Sequence, residues 1–122
     1  MKMEQLLADL EEWGADGKGA MKRLYADGPY YAALVGAFAD DLRFRALEIA
    51  MGAKDYSEAY TLAHGLMNDA LKLGLTPLFE PLSLFADRLR TRSFKDAPHF
   101  YEAVLPPREN LRKMVRRSRN SV

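Results

Sequence analysis

Few residues in this 122-residue chain could do chemistry. There are two histidines, His64 and His99, and no cysteine, so thiolate nucleophiles, thiolate metal ligands and disulfides are excluded. The histidines lie far apart and neither belongs to a His-Glu-x-x-His pattern, so no metal site is expected. Gly14-Ala15-Asp16-Gly17-Lys18-Gly19 has the glycines of a phosphate loop, but it lacks the four-residue gap, the hydroxyl residue after the lysine and a preceding strand. It reads as a turn. Asp40 and Asp41 read as carboxylates on different faces of a helix, solvated rather than paired for acid–base work. His99, beside Phe100 and Tyr101, reads as a partly exposed packing residue. His64 stands apart, because an imidazole is a competent nucleophile near neutral pH and its surroundings are patterned.

The segment around His64 has helical periodicity. At about 100° per residue, Ala59, Ala63, Leu66, Ala70 and Leu73 share one stripe, and His64 lies about 140° from its centre. The stripe is the expected core face, so His64 is expected to point outwards. Its helical neighbours are Tyr60, Thr61, Met67, Asn68 and Leu71, of which Tyr60, Met67 and Leu71 are large and apolar. An outward histidine ringed by apolar groups suggests a docking surface. A neighbouring helix laid over this face would instead make His64 a half-buried bundle residue.

The elements that must position His64 are all expected to be helices, because no segment alternates with the period of two that marks a half-buried strand. A short helix is expected at 4–13 and a helical piece at 20–25. A long helix at 29–51 opens on Pro29, with Tyr31, Leu34, Val35, Phe38, Leu42, Ala46 and Ile49 as its core stripe. The histidine helix spans 56–73, between Asp55, set three before Glu58 as in a capping box, and Gly74. A helix opened by Thr76-Pro77 reaches residue 90, with Pro81 disturbing its first turns. The last helical region, 96–117, must be kinked or split by Pro106-Pro107. Four longer helices with short connections predict an all-α, antiparallel (up-and-down) four-helix bundle, with an extra short helix at the N-terminus.

The pattern Ala63-His64, Leu66, Ala70 and Leu73-Gly74, continued by Leu78, resembles the phosphotransfer motif of histidine-containing phosphotransfer (HPt) domains. Gly14-Ala15-Asp16 and Met21-Lys22-Arg23-Leu24 are similar to the family's lead-in, residues 30–41 to its first bundle helix, and Asp55 to the acidic residue often found before its histidine helix. The resemblance covers about 14–90. It implies a phosphorelay carrier in which His64 is the phosphoacceptor, taking a phosphoryl group from a receiver-domain aspartate and passing it to another. The partners implied are a response-regulator receiver domain and a hybrid histidine kinase. The carrier itself would hold no cofactor, since the receiver brings Mg2+. Tyr60, Thr61 and Leu71 would flank the docking site.

Two positions depart from the family. Met67 stands where a lysine is usual and Asn68 where a glycine is usual. The lysine would bring positive charge to the phosphoryl group, and the glycine would leave room for the partner. Asn68 offers a hydrogen bond to a phosphoryl oxygen, and Gly65 offers space on the other side. The departures keep a second reading open, a degenerate HPt-like adaptor that binds a receiver or kinase without phosphotransfer.

Composition fits one globular domain spanning 1–122, with 48% hydrophobic and 29% charged residues. A net charge of +1 gives no overall bias towards nucleic acid, and none is expected as a partner. Residues 105–122 are nonetheless basic, with Arg108, Arg112, Lys113, Arg116, Arg117 and Arg119 against Glu109, and read as a frayed, solvated terminal helix. No apolar run is long enough to span a bilayer, and residues 1–12 lack the apolar core of a signal peptide. A cytoplasmic monomer is the expectation.

Overall fold

The structure, a computed structural model, describes residues 3–120, so the ends of the expected 1–122 domain and basic tail lie outside the described residues. Those residues form eight α-helices: α1 (Met3–Trp13), α2 (Gly17–Leu24), α3 (Gly28–Ala39), α4 (Arg43–Gly52), α5 (Tyr56–Lys72), α6 (Thr76–Arg90), α7 (Ala97–Glu102) and α8 (Leu105–Asn120). No strand occurs among them. None of the helices is long and apolar enough to cross a membrane.

Local chemistry accounts for most of the boundaries. The Asp16 and Asp27 carboxylates accept from the Gly19 and Tyr30 backbone N–H groups and cap α2 and α3. Asp55 caps α5 through the Glu58 N–H at 3.2 Å. The reciprocal arm of a capping box is not needed there, because the Asp55 N–H already donates to the Ala50 carbonyl. Gly74, at φ +70°, ends α5 in the left-handed region that favours glycine. Its carbonyl accepts from the Asp16 N–H at 2.8 Å, and a Cβ at Gly74 would sit 2.3 Å from the Asp16 carbonyl oxygen. The end of the histidine helix is thus locked to the start of α2. α6 runs on through Pro81, which merely has no N–H to give the Pro77 carbonyl.

The expected 29–51 helix is two helices, broken at 40–42. The break has no Gly or Pro. Asp41 makes it, accepting at Oδ1 from the Arg43 backbone N–H at 2.9 Å and so competing with helical bonding. Arg119 holds the end of α3 from across the fold, pairing with Asp40 at 2.8 Å and donating to the Gly36 carbonyl at 3.4 Å. Asp40 and Asp41 are therefore turn residues with cationic partners, not solvated helix positions. The break also shifts the phase of the stripe. Tyr31, Val35 and Phe38 are buried as expected, but Leu42 is 84% and Ile49 58% exposed, and Phe44 and Leu47 take their places in the core. Phe38 and Phe44 meet edge-on across the break, ring centroids 5.5 Å apart.

The expected 96–117 helix is also split, at Ala103-Val104, ahead of the prolines, which sit in the first turn of α8 where a missing N–H is harmless. Nor is the basic terminal helix frayed. Leu111, Met114, Val115 and Ser118 are buried as α8 packs on α1 and α3. Its charges are partly neutralised by contacts such as Arg117 with Asp9 and Arg119 with Asp40. α5 is central, packed chiefly between α4 and α6.

Candidate functional site

α5 carries the site. Ala59, Ala63, Leu66, Ala70 and Leu73 are all buried, which fixes the rotation of the helix and leaves His64 exposed. His64 is the middle member of a ridge, Tyr60–His64–Asn68, spaced four residues apart. Side chains on a helix lean towards its N-terminus, so each member lies against the one before it. The Tyr60 and His64 rings are 5.6 Å apart between centroids and tilted by 33°. The Asn68 side-chain amide nitrogen, Nδ2, lies 3.4 Å from His64 Nδ1. One ring nitrogen is therefore engaged from the same helix, and Nε2 is the other.

On one flank of this ridge, α6 completes a shallow groove of about 250 Å³ lined by Tyr60, His64, Met67, Ser83, Ala86, Asp87 and Arg90. Arg90 is the cation among these lining residues. It donates to Asp87 Oδ1 at 2.6 Å in a largely exposed pair that adds little to stability. Met67, half-buried and packed against the core, also lines the groove.

On the other flank stands Arg43 of α4. Its Nε donates to Asp41 Oδ1 at 3.0 Å and its Nη2 to Asp41 Oδ2 at 2.8 Å, with a further ion pair from Nη2 to Asp69 of α5. Hydrogen bonding from Arg43 holds the Asp41 carboxyl below its ordinary pKa, and bonding to Asp41 raises Arg43 in turn. A Cβ at Gly65 would lie 2.8 Å from Arg43 Nη1. The Arg43 guanidinium thus lies against the open side of Gly65.

Of the other residues singled out from sequence, Thr61 is exposed and donates to the Ser57 carbonyl at 3.3 Å, and Leu71 is 53% exposed a turn beyond Asn68. His99 is exposed on α7, edge-on to Phe100 at 5.7 Å and remote in sequence from the ridge. Sequence reasoning missed Ser83, Asp87 and Arg90. A signal for Ser83 and Asp87 existed: His64 is ten residues before Gly74, and positions 83–87 lie nine to thirteen after it. Helices joined by a short connection pack side by side, so residues equidistant from the turn face each other.

Chemically, the arrangement offers an accessible imidazole on a rigid helix, one nitrogen held by an amide, beside a shallow groove with one guanidinium. No family model, curated protein or solved structure matches the chain.

Proposed function

We propose that the protein is a histidine phosphocarrier of a multistep phosphorelay, with His64 accepting a phosphoryl group from a receiver-domain aspartate and donating it to another. The observation that carries this reading is the exposed His64 on a helix whose opposite face is wholly buried, with the HPt-like residues Ala63, Leu66, Ala70 and Leu73 forming that face. The finer architecture proposed with it is an antiparallel four-helix bundle made by α3 with α4 as its continuation, α5, α6 and α8. Contacts α4–α5, α5–α6, α6–α8 and α3–α8 close a ring, as four bundle members must.

Phosphoryl transfer depends mainly on in-line positioning and charge neutralisation. The Nε2 lone pair forms the P–N bond while the P–O bond to the receiver's aspartate breaks, and the carboxylate leaves with the electron pair. The receiver supplies Mg2+ and its acidic pocket. The carrier supplies a nucleophile that a flat partner can reach, which fits the shallow groove and the flanking Tyr60, Thr61 and Leu71. Arg90 is the guanidinium lining the same groove, and it would serve the phosphoryl group once released from Asp87. Incubation with phosphorylated receiver domains and magnesium tests the reading: acid-labile, alkali-stable phosphate should appear on His64 and move on to a second receiver. Met67 and the pairing of Arg90 with Asp87 favour the second reading, a non-transferring adaptor. Receiver binding by the folded protein without label would establish that one.

A further inference from the structure

We propose that Asn68 is a positioning residue that selects the tautomer of His64, its amide turned so that the carbonyl oxygen accepts from Nδ1–H and the lone pair is left on Nε2. The inference deepens the phosphocarrier reading and rests on it for its chemical purpose.

The contact itself is the Asn68 amide nitrogen, Nδ2, 3.4 Å from Nδ1, made between positions four apart on one helix. The two ends of an amide are nearly alike in shape, so either its NH2 or its oxygen can face the ring at that distance. The two choices have opposite consequences. An NH2 facing the ring donates to a bare Nδ1 and leaves the proton on Nε2, where it occupies the lone pair needed for attack. An oxygen facing the ring accepts from Nδ1–H, and Nε2 is then bare. Only the second orientation serves both ends of the transfer. Before transfer, the neutral ring carries its proton on Nδ1 and attacks through Nε2. Afterwards, Nε2 holds phosphorus and the same Nδ1 proton remains, now on a cationic ring whose N–H is a stronger donor. No proton moves in the step, and one acceptor serves throughout.

The neutrality of the amide also matters. A carboxylate at the same place would satisfy Nδ1–H equally well but would draw a second proton onto the ring, removing the nucleophile. The carboxylate of the adjoining helix, Asp87, is occupied by Arg90. Asn68 thus turns a departure from the HPt pattern into a working part: the usual glycine at this position could hold nothing.

The test needs no receiver. The full chain is labelled with 15N-histidine, and the shifts of the two ring nitrogens of His64 are read at about pH 8.5, well above the ordinary histidine value of about 6.5. Asn68→Ala and Asn68→Asp are read alongside, with His99 as the internal reference. Wild type should exceed Asn68→Ala in the Nδ1–H form by about fivefold, as one hydrogen bond predicts. Asn68→Asp, which can only accept, should keep or enlarge the excess. Equal tautomer ratios in wild type and Asn68→Ala would overturn the proposal. So would a wild-type excess of the Nε2–H form that Asn68→Asp reverses, since the amide would then be a donor. If the tautomer shift is present but no receiver labels His64, the phosphocarrier reading fails and the tautomer assignment stands.

Discussion

Gly65 and Arg43 should be energetically coupled, and the coupling decides which face of α5 is open to a partner. Replacing Gly65 by alanine in mid-helix is worth about 1 kcal/mol of added stability where nothing opposes the methyl group. Here the new Cβ would come within 2.8 Å of Arg43 Nη1, closer than contact distance. The guanidinium is the end of a flexible side chain, so it will move rather than force the backbone apart. Its local pair with Asp41 can move with it, but the cross-helix pair with Asp69 cannot. With the Arg43 and Asp69 side chains 33% and 38% exposed, that pair contributes about 1 kcal/mol. In the wild-type background the two effects offset, and Gly65→Ala should be nearly neutral. In an Arg43→Ala background there is nothing to displace, and the same substitution should stabilise by about 1 kcal/mol. Urea titration of the four proteins of this double-mutant cycle, followed by far-ultraviolet circular dichroism, would read the difference as roughly half a molar in midpoint. Additivity within about 0.3 kcal/mol would refute the reasoning. It would mean that the Gly65 face is unoccupied in solution and available to a partner after all.

Four further outcomes can be checked directly. Gly74→Ala should destabilise by about 3 kcal/mol or more, because the position combines positive φ with a backbone oxygen 2.3 Å from the new Cβ; a drop in Tm of about 10 °C is expected, and an unchanged Tm would show that the α5–α2 lock is not formed. Tyr31, fully buried with its hydroxyl donating to the Leu73 carbonyl at 2.6 Å, has its pKa raised from 10.0 to about 12, chiefly by burial. A raised folded-state value contributes stability that is complete below the unfolded pKa and is lost as pH rises through the folded one, so stability should fall from pH 10 to about 12 in wild type and much less steeply in Tyr31→Phe; parallel profiles would count against it. His64→Gln should change stability by less than about 0.5 kcal/mol, the residue being exposed, while abolishing phosphate uptake; cooperative unfolding at a clearly lower urea concentration would reveal a packed histidine. Met67→Lys should speed phosphoryl transfer or lengthen the life of the phosphohistidine by adding charge to the groove, and an equal or lower rate would argue against that role.

Helix boundaries were legible in sequence wherever one side chain sets them alone. Asp55 and Gly74 bracket α5, and Thr76-Pro77 opens α6, because a cap or a left-handed glycine acts through its own backbone neighbours. The α3–α4 break was not legible, because its cause is distributed. Asp41 could equally sit mid-helix, and what tips it is the fork of Arg43 on one side and the reach of Arg119, seventy-nine residues after Asp40, on the other. The periodic stripe drawn through the break then placed Leu42 and Ile49 in the core, although they are exposed. The basic segment misled for a similar reason. Charge is easy to see in sequence, but Leu111, Met114, Val115 and Ser118 fall on one face of α8, and that face decides whether the helix packs.

The site divides along the same line, between what one helix determines and what two must share. The outward direction of His64 follows from α5 alone, since a continuous buried stripe of five residues leaves only one solution for the rotation of the helix. The Tyr60–His64–Asn68 ridge follows too, once spacing by four and the lean of helical side chains are considered together. Residues from other helices needed the packing register. Arg43 reaches Gly65 and Asp69 from α4, and Arg90 reaches the groove from α6, and neither position is marked by any local pattern. The consequence is chemical as well as structural. Read one residue at a time, Met67 in place of a lysine leaves His64 without a cation, and Asn68 in place of a glycine looks like an obstruction. Read with its neighbours, the groove has a guanidinium at Arg90, and the amide at Asn68 is within reach of Nδ1. The cation of the groove thus comes from the adjoining helix, and the group beside Nδ1 comes from the histidine's own helix.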